Sequence, residues 1–157
     1  MKIRVLAVGK NHETQYKEAV EDFTKRLKKY FQVEWLILSP PKNAASLPEK
    51  DLKKKEASLI LSALGADDFL IALDETGNPF NSKELADFLQ ARANDSKRNC
   101  SFIIGGAYGL DDSVRNKSSF IWSLSHLTFP HQLVRLILVE QLYRACSILN
   151  NEKYHHS

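Results

Sequence analysis

The chain has 157 residues, 43% of them hydrophobic and 26% charged, and a formal net charge of +3. That length suffices for one domain with its own core, without metals or disulfides, and we expect a single domain over 1–157. No apolar run approaches the roughly 20 residues of a membrane span, and Cys100 and Cys146 have no partner at metal-ligand spacing, so we expect no metal and two buried thiols in a reducing, cytoplasmic setting.

The N-terminal "MKIRVLAVGK" carries the apolar run Ile3–Val8, too short for the core of a secretion signal, and reads as a first strand. In segment 13–31, Tyr16, Ala19, Val20, Phe23, Leu27 and Tyr30 recur every three or four residues, the spacing of an amphipathic helix that covers a sheet. Val33–Leu38 is the second strand. After "SPPKNAASLP" a second helix is expected from Pro48 to Leu64, where Gly65 stops it. Phe69–Leu73 is the third strand, and "NSKELADFL" starts a third helix, capped by Asn81 or Ser82, with Asn81 and Glu84 at capping-box spacing. Cys100–Ile104 and Phe120–Leu124 complete the set, separated by "LDDSVR", where Asp111 or Asp112 can cap a short helix. Strands that alternate with helices predict an α/β fold around an open, mostly parallel sheet of five or six strands. Lysines gather in "TKRLKKY" (24–30) and "EKDLKKKEASL" (49–59); each reads first as a solvated helix face, and together they are compatible with RNA contact.

The last helix, "HQLVRLILVEQLYRACSIL", is apolar around nearly its whole circumference. A helix of that kind is buried on more than one side, either within the monomer or, as we expect for a single-sheet domain of this size, at a homodimer interface. Arg144 interrupts the apolar surface, four residues after Glu140; it pairs with that carboxylate or is aimed into an active site. His131 opens the helix, where the dipole disfavours imidazolium, and reads as local support.

In a parallel sheet, ligands bind beyond the carboxyl ends of the strands. Three loops should meet there: "LDETGNPFNS" (73–82), "GGAYGLDD" (105–112) and "LSHLTFPHQL" (124–133). The second invites a dinucleotide reading, but its spacing is G-G-x-x-G rather than G-x-G-x-x-G and it comes late in the chain. Lysine is absent from all three loops, which excludes a P-loop. Main-chain groups and apolar side chains suit an adenine and a thioether-borne cation better than phosphates. Asp74 and Glu75, adjacent on a turn, point to different sides and are not a catalytic pair.

"LDETG", "FIIGGAYGL", "LSHLTFPHQLVRLILVEQLYRA" and the terminal "YHH" closely resemble the SPOUT-class family that methylates N3 of a pseudouridine in 23S ribosomal RNA, and the resemblance runs from "KIRVLAVGK" to "EKYHH". It implies a C-terminal trefoil knot, a homodimer through the last helix, and S-adenosylmethionine held in bent form by the three loops, with 23S rRNA in the assembled ribosome as substrate. Carried across by motif, the donor pocket maps to Leu73, Gly105 and Gly106, and to Leu124, Ser125, His126, Leu127, Thr128, Phe129 and Pro130. N3 of pseudouridine carries a proton at neutral pH, so a base or an anion-stabilising cation is required. His155 is the expected base, Tyr154 a stacking platform, and Arg144 an anion binder acting across the dimer. A non-catalytic ribosome-binding factor and a nucleotide-using small-molecule enzyme are the rival readings; the intact cofactor loops speak against the first, the missing phosphate signature against the second.

Overall fold

A computed structural model describes residues 1–95 and 98–156. Strands β1 (Lys2–Val8), β2 (Gln32–Leu38), β3 (Asp68–Pro79), β4 (Asn99–Ile104) and β5 (Phe120–Ser123) form one sheet in the order β2-β1-β4-β3-β5. All four pairings are parallel. Helices α1 (Thr14–Leu27), α2 (Glu49–Ser62), α3 (Ser82–Ala93), α4 (Asp112–Lys117) and α5 (His131–Leu149) connect and follow the strands. The expected α/β architecture is present, with five strands.

Side chains of β4 separate the two cores. Cys100, Phe102 and Ile104 pack with Leu27 of α1, Leu89 of α3 and Leu138 and Leu142 of α5. Ile103 faces the other way, toward Ala57 and Ile60 of α2 and Val114 of α4. Covering helices on both faces explain why β1 and β4 finish in continuous apolar runs, Val5–Val8 and Phe102–Ile104, rather than alternating ones. Each fully buried Leu or Ile contributes about 1.5–3 kcal/mol through removal of apolar surface from water.

Local chemistry fixes the helix starts. Asn81 accepts from the Glu84 N–H at 2.9 Å while the Glu84 carboxylate accepts from the Asn81 N–H at 2.7 Å, the reciprocal capping box read from the sequence. Asp111 caps α4 by accepting from the Ser113 N–H and hydroxyl. Two expectations need correction. The first helix ends at Leu27, and residues 28–30 form turns instead. The loop expected over 73–82 is shorter: Leu73 and Asn78 both pair with Trp122, so only 74–77 leave the ladder before β3 resumes. Gly77 closes that excursion, because a Cβ there would lie 2.5 Å from the Ile121 carbonyl oxygen.

Topology also decides direction. Every strand ends at the same edge, so a helix leaving a strand starts at that edge and runs back toward the opposite one. The first turns of α2 and α5 therefore lie at the carboxyl edge of the sheet, and the C-terminus of α5 lies at the far edge. From His131 to Arg144 the helix rises about 20 Å at 1.5 Å per residue.

Candidate functional site

At the carboxyl edge, the segments 73–76, 104–110 and 124–129 enclose a cavity of about 440 Å³, within the usual range for small-ligand sites. The excursion 74–77 is held from both sides. Thr76 donates to Asp74 from its N–H (2.9 Å) and hydroxyl (2.6 Å), and Arg115 Nη2 donates to Thr76 Oγ1 at 3.0 Å. Thr128 Oγ1 donates to Glu75 Oε2 at 2.8 Å, and His126 Nδ1 lies 3.3 Å from the Glu75 carbonyl oxygen. Asp74 and Glu75 thus serve different neighbours, as expected. The third loop is braced by the Leu127 N–H donating to Ser125 Oγ at 3.0 Å.

Of the residues expected to hold a methyl donor, Leu73, Gly105, Gly106, Leu124, Ser125, Leu127, Thr128 and Phe129 line this cavity. His126 and Pro130 do not: His126 turns to Glu75, and Pro130 occupies the position before the first turn of α5. The lining also includes Ile104, Leu110, Arg115, His131 and Val134, and Lys53 reaches it from α2. The loops themselves lack lysine, yet a helix that passes the same edge supplies one.

The glycine pair has a different rationale from the one its motif offered. A Cβ on Gly105 would come within 2.8 Å of the Gly109 backbone and 3.0 Å of Leu110, and a Cβ on Gly106 within 2.7 Å of the Glu56 carboxylate. Each glycine is therefore required by the protein's own atoms, besides lining the cavity. Gly105 lets the loop fold onto itself, where the Gly109 N–H donates to the Gly106 carbonyl at 3.1 Å and Gly109 adopts φ +79°. Gly106 lets the loop sit on Glu56, a buried residue of α2. Burial raises the Glu56 pKa, while the Gly106 N–H, donating to its carboxylate, opposes the rise.

Beside the cavity, the first turns of α5 hold the β1–α1 connection. Arg135 is fully buried; Nη1 donates to the Lys10 carbonyl at 2.8 Å and lies 3.3 Å from His12 Nδ1. Its Nε and Nη2 have no hydrogen-bond partner among the described residues. Gln132 adds a two-way clasp, accepting from the Glu13 N–H and donating to the Asn11 carbonyl. Burial, and then the Arg135 cation, hold both His12 and His131 below the usual histidine range.

The residues expected to act on the nucleobase lie at the other end of α5. Arg144 Nε and Nη2 both donate to Glu140 Oε1, at 3.1 and 2.6 Å, and the Tyr154 hydroxyl donates to the same oxygen at 3.0 Å. The Arg144 guanidinium lies 4.8 Å from the Tyr154 ring centroid, and the tilted Tyr143 ring has its centroid also 4.8 Å away. Tyr154 is therefore in contact with both Arg144 and Tyr143 in the single chain. The tail is fastened by the Glu152 N–H to Ser147 and by the Tyr30 hydroxyl to Glu152. His155 is half-buried, with Nδ1 unpartnered among the described residues, and His156 is exposed. Within one chain, none of Arg144, Tyr154 and His155 reaches the cavity.

A family model described as "Predicted SPOUT methyltransferase" matches residues 1–155. The chain belongs to the SPOUT methyltransferase family. Among relatives of this SPOUT member, a protein of Cytophaga hutchinsonii named ribosomal RNA large subunit methyltransferase H is 44% identical over 156 residues, covering 99% of this chain and 100% of the relative. Proteins of the same name from Flavobacterium psychrophilum and Acetivibrio thermocellus are 43% and 41% identical, each alignment covering 99% of both chains. Solved structures share the fold. A probable methyltransferase from Bordetella pertussis Tohama I superposes with a TM-score of 0.58 at 14% identity, over 92% of this chain and 93% of that one.

Proposed function

We propose that the chain transfers a methyl group from S-adenosylmethionine to N3 of a pseudouridine in 23S rRNA, as a cytoplasmic homodimer acting on the assembled ribosome. One observation carries this reading: in a SPOUT methyltransferase, three loops close a cavity lined mainly by main-chain groups and neutral side chains at the carboxyl edge of the sheet. The names of the relatives supply the substrate class.

The lining fits the donor. Leu73, Leu124, Leu127 and Phe129 offer apolar surface, and the loops 105–110 and 124–129 offer amides for an adenine edge. When bound, S-adenosylmethionine supplies an electrophilic methyl on a good leaving group, so the protein contributes chiefly position and a deprotonated nucleophile. Leu133, Leu136 and Ile137 remain half-exposed on α5, an apolar strip that a second copy would cover. Antiparallel pairing of two α5 helices would carry the tail of one copy to the cavity edge of the other. There a cation such as Arg144 can stabilise the N3 anion, and His155 can accept the proton. For that, Arg144 and Tyr154 must share or exchange Glu140, which holds both of them in one chain.

Calorimetric titration with S-adenosylmethionine and with NAD, followed by mass mapping of rRNA from a deletion strain, tests the reading. Donor binding without NAD binding, and one methyl missing from a pseudouridine in the deletion strain, are expected. NAD binding without donor binding overturns it, and donor binding with an unchanged rRNA map favours a ribosome-binding factor.

A further inference from the structure

Tyr108 and Leu127, 52% and 68% exposed, are the most exposed large hydrophobic residues described, and both line the mouth of the cavity. Leu127 belongs to a loop expected to pack on the donor. Tyr108 has no such assignment. Among the described residues, its side chain makes no hydrogen bond, ion pair or ring contact. The loop that carries it is closed by the Gly106–Gly109 bridge behind it and followed by the Asp111 cap three residues later. A fixed loop that leaves an aromatic ring half in water presents a flat apolar face with little ordering cost.

Cations stand next to it. Lys53 lines the same cavity, and Lys53 and Lys54 both help to hold Asp111 below the usual carboxylate range, after its hydrogen bonds from Ser113. Lys54 follows Lys53 on α2, and α2 packs against α4, the helix that the Asp111 cap opens. Lys50 and Lys55 are exposed on the same helix, and no carboxylate lies within 4.0 Å of any of these four among the described residues. Glu49 and Asp51, in the first turn of α2, are the acidic neighbours.

We propose that Tyr108 and the lysines of α2 form the receiving surface for single-stranded RNA beside the target nucleotide. The Tyr108 ring stacks on a flanking base, and Lys53 and Lys54 contact backbone phosphates. An aromatic face flanked by unpaired cations suits a single strand, whose bases expose their π-faces, better than a duplex, whose bases are stacked on each other. The inference rests on the reading of RNA as substrate and specifies where that substrate enters.

Methyl transfer to ribosomes from the deletion strain, measured together with donor affinity by calorimetry, tests it. Tyr108→Ala should raise the KM for ribosomes about tenfold, the scale of one lost base stack, with the donor Kd within about twofold. Tyr108→Phe should restore the KM. Lys53→Ala with Lys54→Ala should raise the KM and flatten its log–log salt dependence by about 0.7 for each single-strand phosphate that is no longer neutralised. An unchanged KM for Tyr108→Ala overturns the proposal, as does a loss of donor affinity that matches the loss of turnover, which would make Tyr108 part of the donor pocket. A wild-type chain that binds donor but methylates no RNA overturns the functional reading and this surface with it. Wild-type turnover that is insensitive to both sets of substitutions overturns this surface alone.

Discussion

At its first turn α5 meets three loops that line a cavity, whereas about 20 Å along the helix long side chains satisfy one another: Arg144 and Tyr154 on Glu140, Tyr30 on Glu152. The first region is an open-mouthed cavity lined by residues of a single chain. The second brings together an arginine, a tyrosine and a histidine, none of which lines that cavity. If the first region holds the donor and the second activates the acceptor, as proposed, the two halves should fail independently when altered.

The sharpest way to break the comparison is removal of the tail. Truncation after Asn151 should lower methyl transfer by about a hundredfold or more, the scale of a lost acid–base or anion-stabilising group, while donor affinity stays within about twofold. Unchanged turnover on ribosomes would remove the tail from the mechanism. At the other end, Gly105→Val forces backbone against backbone at Gly109. It should weaken donor binding more than tenfold and cost about 1–3 kcal/mol of stability, as overpacking does, with calorimetry and denaturant unfolding as the readouts.

Gly106→Ala is gentler, because the obstacle is the end of the Glu56 side chain rather than backbone. A loss of about 1 kcal/mol is expected, and Glu56→Ala in the same chain should recover part of it. Full additivity of the two substitutions in a double-mutant cycle would mean that they do not meet.

Smallest is a pH effect. Burial raises the Glu56 pKa in the folded state, so the folded chain holds that proton where the unfolded chain has released it. This contribution to stability is complete below the ordinary glutamate range and is lost as pH rises through the elevated value. Glu56→Gln should therefore gain stability relative to wild type with rising pH across that window, and parallel unfolding curves from pH 4 to 8 would show that Glu56 does not titrate there.

The strands were legible because apolar, β-branched runs bounded by turn residues mark a sheet buried on both faces. Asn81 and Glu84 announced their capping box by spacing alone. The excursion in β3 was not legible, because residues 78 and 79 rejoin the sheet through pairing with Trp122 and Ser123, a pairing across forty-four residues that no local pattern encodes. Glu56 and Arg135 were missed for another reason. Each sits in the apolar stripe of its own helix, Glu56 between Leu52 and Ile60 and Arg135 before Leu138 and Leu142. Four-residue spacing was the available signal, but the charge drew the eye to the surface. The glycine pair stands out in the sequence, and the neighbours of an added Cβ tell which protein atoms it makes room for.

Cys100, on the central strand, and Cys146, on α5, sit in one core, each with its thiol pushed to about 12 by burial. At neutral pH neither offers a thiolate to a reagent until its surroundings open. The molecule therefore contains two silent clocks. The rate at which each sulfur becomes alkylated records how often the middle of the sheet is exposed and how often the helix lifts away, and the order in which the two clocks start shows which layer of the fold yields first.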